Sequence, residues 1–253
     1  MFSVLSVRMR QKYRTMKYPR GKPPDLPAEF AGKPVVDNGR CAAGCRACAE
    51  VCPTAAISVD GVAKGPRLDM GKCIFCRNCE KECRQQALKF SREFKMCSFA
   101  REGLIVSGDH SDGSSKLRGN IPKSFRRSLK LRQVSAGGCN ACEADTNVLG
   151  TIAWDLGRFG VQFVASPRHA DGLLVTGPVT ENMRAALMKT YEAVPFPKIV
   201  IAVGACAVSG GIYAGHKEAG GVDGLLPVDL YVPGCPPHPL VILDAMLQFL
   251  GRP

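Results

Sequence analysis

Eight cysteines packed into two short runs constrain this chain more tightly than anything else in its 253 residues. The first run reads Cys41-Ala-Ala-Gly-Cys45-Arg-Ala-Cys48-Ala-Glu-Val-Cys52-Pro53, and the second Cys73-Ile-Phe-Cys76-Arg-Asn-Cys79-Glu-Lys-Glu-Cys83-Arg84. A cubane iron–sulfur cluster needs three thiolates from one tight loop and a fourth from elsewhere, which this spacing supplies twice. Zinc takes cysteines in separated pairs and suits such crowding poorly. The apolar start, Met1 to Val7, is too short for a signal-peptide core and lacks its flanks. No stretch approaches the roughly 18 consecutive apolar residues of a membrane span. A cytosolic chain with reduced thiols is expected, so thirteen cysteines point to metal rather than disulfides.

Residues 36–96 resemble the bacterial two-cluster ferredoxin domain, with a cysteine run and a short apolar run (Ala55 to Val59, then Ala87 to Phe90) repeated twice. In that family the fourth cysteine of each run ligates the other cluster. The resemblance therefore implies one [4Fe-4S] cluster on Cys41, Cys45, Cys48 and Cys83, and a second on Cys73, Cys76, Cys79 and Cys52. The chain departs from the family in two places. Three residues rather than two separate Cys41 from Cys45, and Arg84 stands where a proline usually follows the last cysteine.

Around this unit the organisation changes. Residues 1–35 are basic and rich in Pro and Gly, and read as an extended arm whose start is either a frayed terminus or a short basic helix with Phe2, Leu5, Met9 and Met16 on one stripe. Residues 97–128 read as a linker, polar from 107 onward. From 129 to 253, apolar runs of strand length end near glycine and alternate with helical patterns. The runs are Leu129–Val134, Val161–Ala165, Leu173–Thr176, Ile199–Val203 and Val228–Val232. Thr180 is placed to cap a helix carrying Met183, Ala186, Leu187, Thr190 and Tyr191 on one face. The fold class that follows is an α+β two-cluster ferredoxin domain followed by an α/β, flavodoxin-like parallel-sheet domain.

Four more cysteines fall just after such strands: Gly138-Cys139-Asn140-Ala141-Cys142-Glu143, Gly204-Ala205-Cys206 and Pro233-Gly234-Cys235-Pro236-Pro237. Loops at the carboxyl ends of parallel strands converge on one edge of the sheet, so Cys139, Cys142, Cys206 and Cys235 can meet as a third [4Fe-4S] site. Neighbouring glycines free backbone N–H groups to donate to sulfur. Cys97 is left over and reads as a buried structural thiol.

The segments around these cysteines, together with Ser166-Pro167-Arg168-His169-Ala170-Asp171-Gly172 and Val232-Pro233-Gly234-Cys235-Pro236-Pro237-His238, look like the small subunit of group 4 membrane-bound [NiFe]-hydrogenases. That family, of the formate-hydrogenlyase type, is homologous to the complex I subunit that carries the terminal cluster. Complex I subunits place two adjacent cysteines where this chain has Cys139 and Cys142, so the spacing leans toward the hydrogenase branch. The resemblance implies an oxidoreductase subunit that relays electrons through three [4Fe-4S] clusters to or from an active site on a large subunit. It also implies further redox and membrane-arm partners, and a cytoplasmic position, peripheral on the inner face of the inner membrane and reached only through partners. The alternatives are a complex-I-like quinone oxidoreductase subunit and a stand-alone iron–sulfur sensor or nucleic-acid-binding protein.

Charge is divided. Residues 1–132 carry 27 Lys+Arg against 12 Asp+Glu, and residues 133–253 carry 7 against 10. No arginine-rich repeat or aromatic-interleaved run accompanies the basic half, so nucleic acid is not the expected partner. Glu143 beside a ligand reads as a helix N-terminal carboxylate or a group in proton movement. Arg168 and His169 read as packed or interface residues, or as groups that tune the cluster or face quinone or protons. His238 reads as a helix-capping or interface residue, and Trp154 as core.

Overall fold

The computed structural model describes residues 2–12, 14–59, 65–108, 124–216 and 219–252. After the helix α1 (Phe2–Gln11) come strand β1 (Pro34–Val36), the short helix α2 (Ala47–Glu50), and strands β2 (Ile57–Ser58) and β3 (Arg67–Asp69). Helix α3 (Asn78–Glu82), β4 (Leu88–Phe90) and β5 (Ile105–Val106) complete the first half. β1 pairs antiparallel with β4, and β2, β3 and β5 form a second antiparallel sheet. Each cysteine run leads through a one-turn helix toward a strand, which is the structural form of the repeat read from the sequence. Ala55 and Gln86 occupy matching left-handed positions three residues after Cys52 and Cys83. The two halves keep the same local path although one has Pro53 and the other Arg84.

The second half contains β6 (Leu129–Ser135), α4 (Ala141–Val148), β7 (Val161–Phe163), β8 (Gly172–Thr176), α5 (Glu181–Ala193), β9 (Ile199–Val203), α6 (Ala205–Ser209), β10 (Leu230–Val232) and α7 (Pro239–Phe249). All five expected strands form. They make one fully parallel sheet in the order β7-β6-β8-β9-β10. Counting from β6, this is the 2-1-3-4-5 order of the flavodoxin-like fold, with its reversal point beside β6 and β8. The central strands β8 and β9 are buried at every residue. This accounts for their unbroken apolar runs, since a central parallel strand is covered on both faces.

Helix α7 is apolar almost all round, and such a helix needs cover on every side. Part of that cover comes from the first half: Phe99 packs on Phe249 with ring centroids 6.4 Å apart. Tyr18 is buried and its hydroxyl donates to Asp244 of α7. The two halves therefore share one apolar core.

Three expectations change. Residues 97–106 are not linker: Ser98 bridges Tyr231 beside the parallel sheet, and β5 supplies an outer strand to β3. Of the expected linker, residues 109–123 lie outside the described residues. The arm begins with the short helix of the two alternatives, α1, which ends at Gln11 and so does not reach Met16. Nor is the arm free of the second half, since Met16 N–H donates to Ala153 O at 3.0 Å. Thr180 holds the N-cap position of α5 without a side-chain capping bond. Its side chain lies where a Cβ on Gly137 would stand, 2.5 Å away, so packing takes precedence over capping.

Candidate functional site

Burial raises the Cys48 thiol to about 11, with Cys41, Cys83 and Cys45 close enough to push it further. Cys41 is likewise raised, first by burial and then by Cys45 and Cys83. Cys73 is raised to about 12 by burial, aided by Cys79, Cys52 and Cys76. Cys79 reaches about 12 through burial, then Cys52 and Cys76, with Cys48 of the first run a weaker neighbour. These neighbourhoods are the crossed quartets: the fourth cysteine of each run, Cys52 or Cys83, stands with the other run's first three. α2 and α3 pack against each other and hold Cys48 and Cys79 buried. The extra residue between Cys41 and Cys45 is absorbed at Gly44, whose φ of 74° is open to glycine at no steric cost.

Sulfur acceptors are already served by backbone donors. Ala56 N–H donates to Cys52 Sγ at 3.2 Å, Ala87 N–H to Cys83 Sγ at 3.2 Å, and Phe75 N–H to Cys73 Sγ at 3.3 Å. The first two bonds span the same four-residue interval, another mark of the repeat. Cys52, Cys73, Cys76 and Cys79 line a recess together with Ile57, Leu68 and Phe90. Apolar walls, thiols and N–H donors suit an iron–sulfur cluster, whose potential follows burial and hydrogen bonds to sulfur.

The dispersed quartet assembles at the carboxyl edge of the parallel sheet. Cys139 and Cys142 follow β6, Cys206 opens α6 after β9, and Cys235 follows β10. Burial pushes the Cys142 thiol up strongly, and Glu143, Cys235, Cys206 and Cys139 add to it. Cys206 is raised to about 11, first by burial and then by Cys235 and Cys139. Gly204 makes the convergence possible. Its φ of 91° and ψ of 154° lie in a region essentially restricted to glycine. A Cβ there would stand 2.6 Å from Cys142 Sγ. Cys139 and Cys235 are exposed while Cys142 and Cys206 are half-buried, so the site opens to the surface. Ile212 and Tyr213, which follow α6, are exposed apolar side chains.

Among the described residues no three His, Cys, Asp or Glu side chains converge on a single ion position. A cubane sets a different requirement, one thiolate on each of four irons.

The remaining flagged residues separate by position. Glu143 is buried in the first turn of α4 and accepts a 2.6 Å hydrogen bond from Thr176 Oγ1. His238 caps α7, its Nδ1 accepting from Leu240 N–H at 3.1 Å, and its ring packs edge-on against Trp154 and Phe30. Arg168 and His169 lie in the 3-10 turn before β8, at the edge where the strands begin and away from the cysteine loops. Burial raises the Cys97 thiol to about 12, with Asp244 as its charged neighbour rather than a cysteine. The signal missed in the sequence is Asp244, an acidic residue inside an otherwise apolar helix that anchors Tyr18.

Fold and site together define an iron–sulfur oxidoreductase subunit. The family of the NADH ubiquinone oxidoreductase 20 Kd subunit matches residues 139–249, and the 4Fe-4S dicluster domain matches residues 40–87. The chain is 44% identical over 131 residues to the probable membrane-bound hydrogenase subunit mbhJ of Pyrococcus furiosus, covering 51% of this chain and 78% of that protein. It is 39% identical over 150 residues to formate hydrogenlyase subunit 7 of Escherichia coli, covering 59% of each. It is 43% identical over 115 residues to an NADH-quinone oxidoreductase subunit of Citrifermentans bemidjiense, covering 46% of this chain and 68% of that one. The chain belongs to the NADH ubiquinone oxidoreductase 20 Kd subunit family, preceded by a 4Fe-4S dicluster domain.

Proposed function

We propose that the chain is the electron-relay subunit of a membrane-associated complex of the formate-hydrogenlyase type, holding three [4Fe-4S] clusters. Cys41, Cys45, Cys48 and Cys83 would hold one, Cys52, Cys73, Cys76 and Cys79 the second, and Cys139, Cys142, Cys206 and Cys235 the third. The observation that carries this reading is the grouping of the thiols, with Cys83 beside the first run's Cys41 and Cys48, Cys52 beside the second run's Cys73 and Cys79, and Cys139, Cys142, Cys206 and Cys235 together at the sheet edge. Bound there, the clusters supply one-electron storage and transfer. The chain's own residues shield them, donate N–H groups to sulfur and set their spacing.

The open side of the third quartet, with Ile212 and Tyr213 exposed beside α6, favours a large-subunit interface on that edge. The bond chemistry belongs to that partner. Attachment to the membrane passes through partners, since no helix among the described residues is long and apolar enough to cross one. The Cys139-x-x-Cys142 spacing favours hydrogen chemistry. The similarity to the NADH-quinone oxidoreductase subunit of Citrifermentans bemidjiense supports quinone chemistry as the second reading.

The test is anaerobic titration of the intact complex with hydrogen, followed by a nickel assay. Reduction of all three clusters with nickel present supports the proposal. Absence of nickel, with reduction by quinol and none by hydrogen, would replace it with the quinone reading.

A further inference from the structure

Gly71 lies two residues before Cys73, buried under the second half of the chain. Its carbonyl is the nearer acceptor, at 2.9 Å, of the Ser209 hydroxyl at the end of α6, which also faces Ala205 O of its own helix at 3.2 Å. The same helix begins one residue before Cys206. A Cβ added at Gly71 would stand 2.8 Å from Val208 Cγ1 and 2.9 Å from Arg101 Cζ. Glycine is therefore the residue that lets the Cys73 loop touch α6. Arg101 closes the contact from the side. Its Nη1 and Nη2 bind Asp69 at 2.8 and 2.6 Å, and its Nε reaches Asp223 of the other half at 3.3 Å. Asp69 in turn shapes the loop, accepting from Gly71 N–H at 2.8 Å through Oδ1 and from Cys73 N–H at 3.0 Å through its carbonyl. On the far side of the loop, Ile74 and Phe75 share a recess with Cys235 and Pro236.

We infer that Gly71, Ser209 and Arg101 are positioning residues that fix the second quartet against the third, with the Ser209 hydroxyl as the bridge between them. From Cys206 the path runs along one turn of α6 to Ser209, across one hydrogen bond to Gly71, and through two peptide units to Cys73. Along it a single electron leaves the group on one quartet, oxidised by one, and enters the group on the other, reduced by one. No bond is made or broken and no proton moves. The inference rests on the three-cluster reading above and adds the residues that join two of the clusters.

The experiment uses the cluster-loaded full chain, with iron counted in every variant. Ser209→Ala removes one hydroxyl and is expected to keep full iron while slowing transfer between the two clusters several-fold after rapid reduction. Ser209→Thr, which restores a hydroxyl, is expected to recover the rate. Gly71→Ala is expected to weaken the magnetic interaction between the two reduced clusters in electron paramagnetic resonance. A merely structural serine would lower thermal stability without changing either readout. Unchanged transfer in fully loaded Ser209→Ala, or slowed transfer that Ser209→Thr does not recover, overturns the inference. Failure of the underlying reading is distinguishable, because it appears in the unsubstituted chain as a missing third-cluster signal.

Discussion

Gly204→Ala isolates what the backbone contributes to the dispersed quartet. The residue occupies a conformation that costs a side-chain-bearing residue about 1–3 kcal/mol. The new methyl group would also stand 2.6 Å from Cys142 Sγ, closer than a carbon and a sulfur can approach. The two penalties fall on the same point. Rotating Cys142 away relieves the clash but withdraws a ligand, and moving Gly204 shifts Cys206 two residues on. Strain that a remote site would absorb as lost stability is here relieved by losing the third cluster. Iron should fall by about four per chain, the content of one cubane. The electron paramagnetic resonance signals of the ferredoxin pair should persist. Gly157→Ala is the control, because a Cβ there meets nothing within 4 Å. Full iron and an unaltered third-cluster signal in Gly204→Ala would refute the claim that the missing side chain makes room for Cys142.

Other outcomes follow from the same geometry. Fully loaded chain should contain about twelve irons and twelve acid-labile sulfides; stoichiometric zinc would contradict the quartets. Cys206→Ser should abolish or convert only the dispersed cluster and Cys83→Ser only a ferredoxin cluster, with Cys97→Ser leaving iron content unchanged in a direct assay. Tyr18→Phe removes a donor from buried Asp244 and should destabilise the folded chain by about 1–3 kcal/mol in chemical denaturation, without changing iron content. The seven Lys and Arg residues of 1–24, with no acidic residue among them, should strengthen attachment to anionic vesicles by about 1 kcal/mol for each one near the surface. That contribution should fade in high salt while an intact complex stays bound.

What the sequence disclosed, it disclosed through periodicity and spacing. The strands from Leu129 onward were legible because buried parallel strands leave unbroken apolar runs such as Ile199–Val203. The dispersed quartet was legible because each of its cysteines follows a strand of one sheet. The contacts between the halves left no such pattern. Nothing periodic marks Ser98, which pairs with Tyr231 far along the chain, or Arg101, which joins Asp69 to Asp223. Thr180 misled because its residue type favours a cap, while tertiary packing against Gly137 places its side chain elsewhere. Residues after 96 read as linker because two-residue strands such as Ile105–Val106 are too short to show alternation.

On the proposed function, the same seam lets two matched families act as one relay on a single chain. Association of separate proteins costs an estimated 4–15 kcal/mol in lost translation and rotation. Covalent continuity replaces that cost with the smaller entropy of closing a loop, which grows only slowly with loop length. Contacts spread along the seam then suffice: hydrogen bonds from Met16 to Ala153 and from Tyr18 to Asp244, ring pairs at Phe99–Phe249 and Phe30–His238, a backbone bridge at Ser98, an ion network at Arg101 and a hydroxyl at Ser209. Arg101 and Ser209 meet at Gly71, beside the ligand loop of the second quartet. Within that seam, this pair bears directly on a ligand loop. Its location there ties the docking of the two halves to the spacing of their thiols, so a substitution that loosens the halves should register first between the second and third quartets.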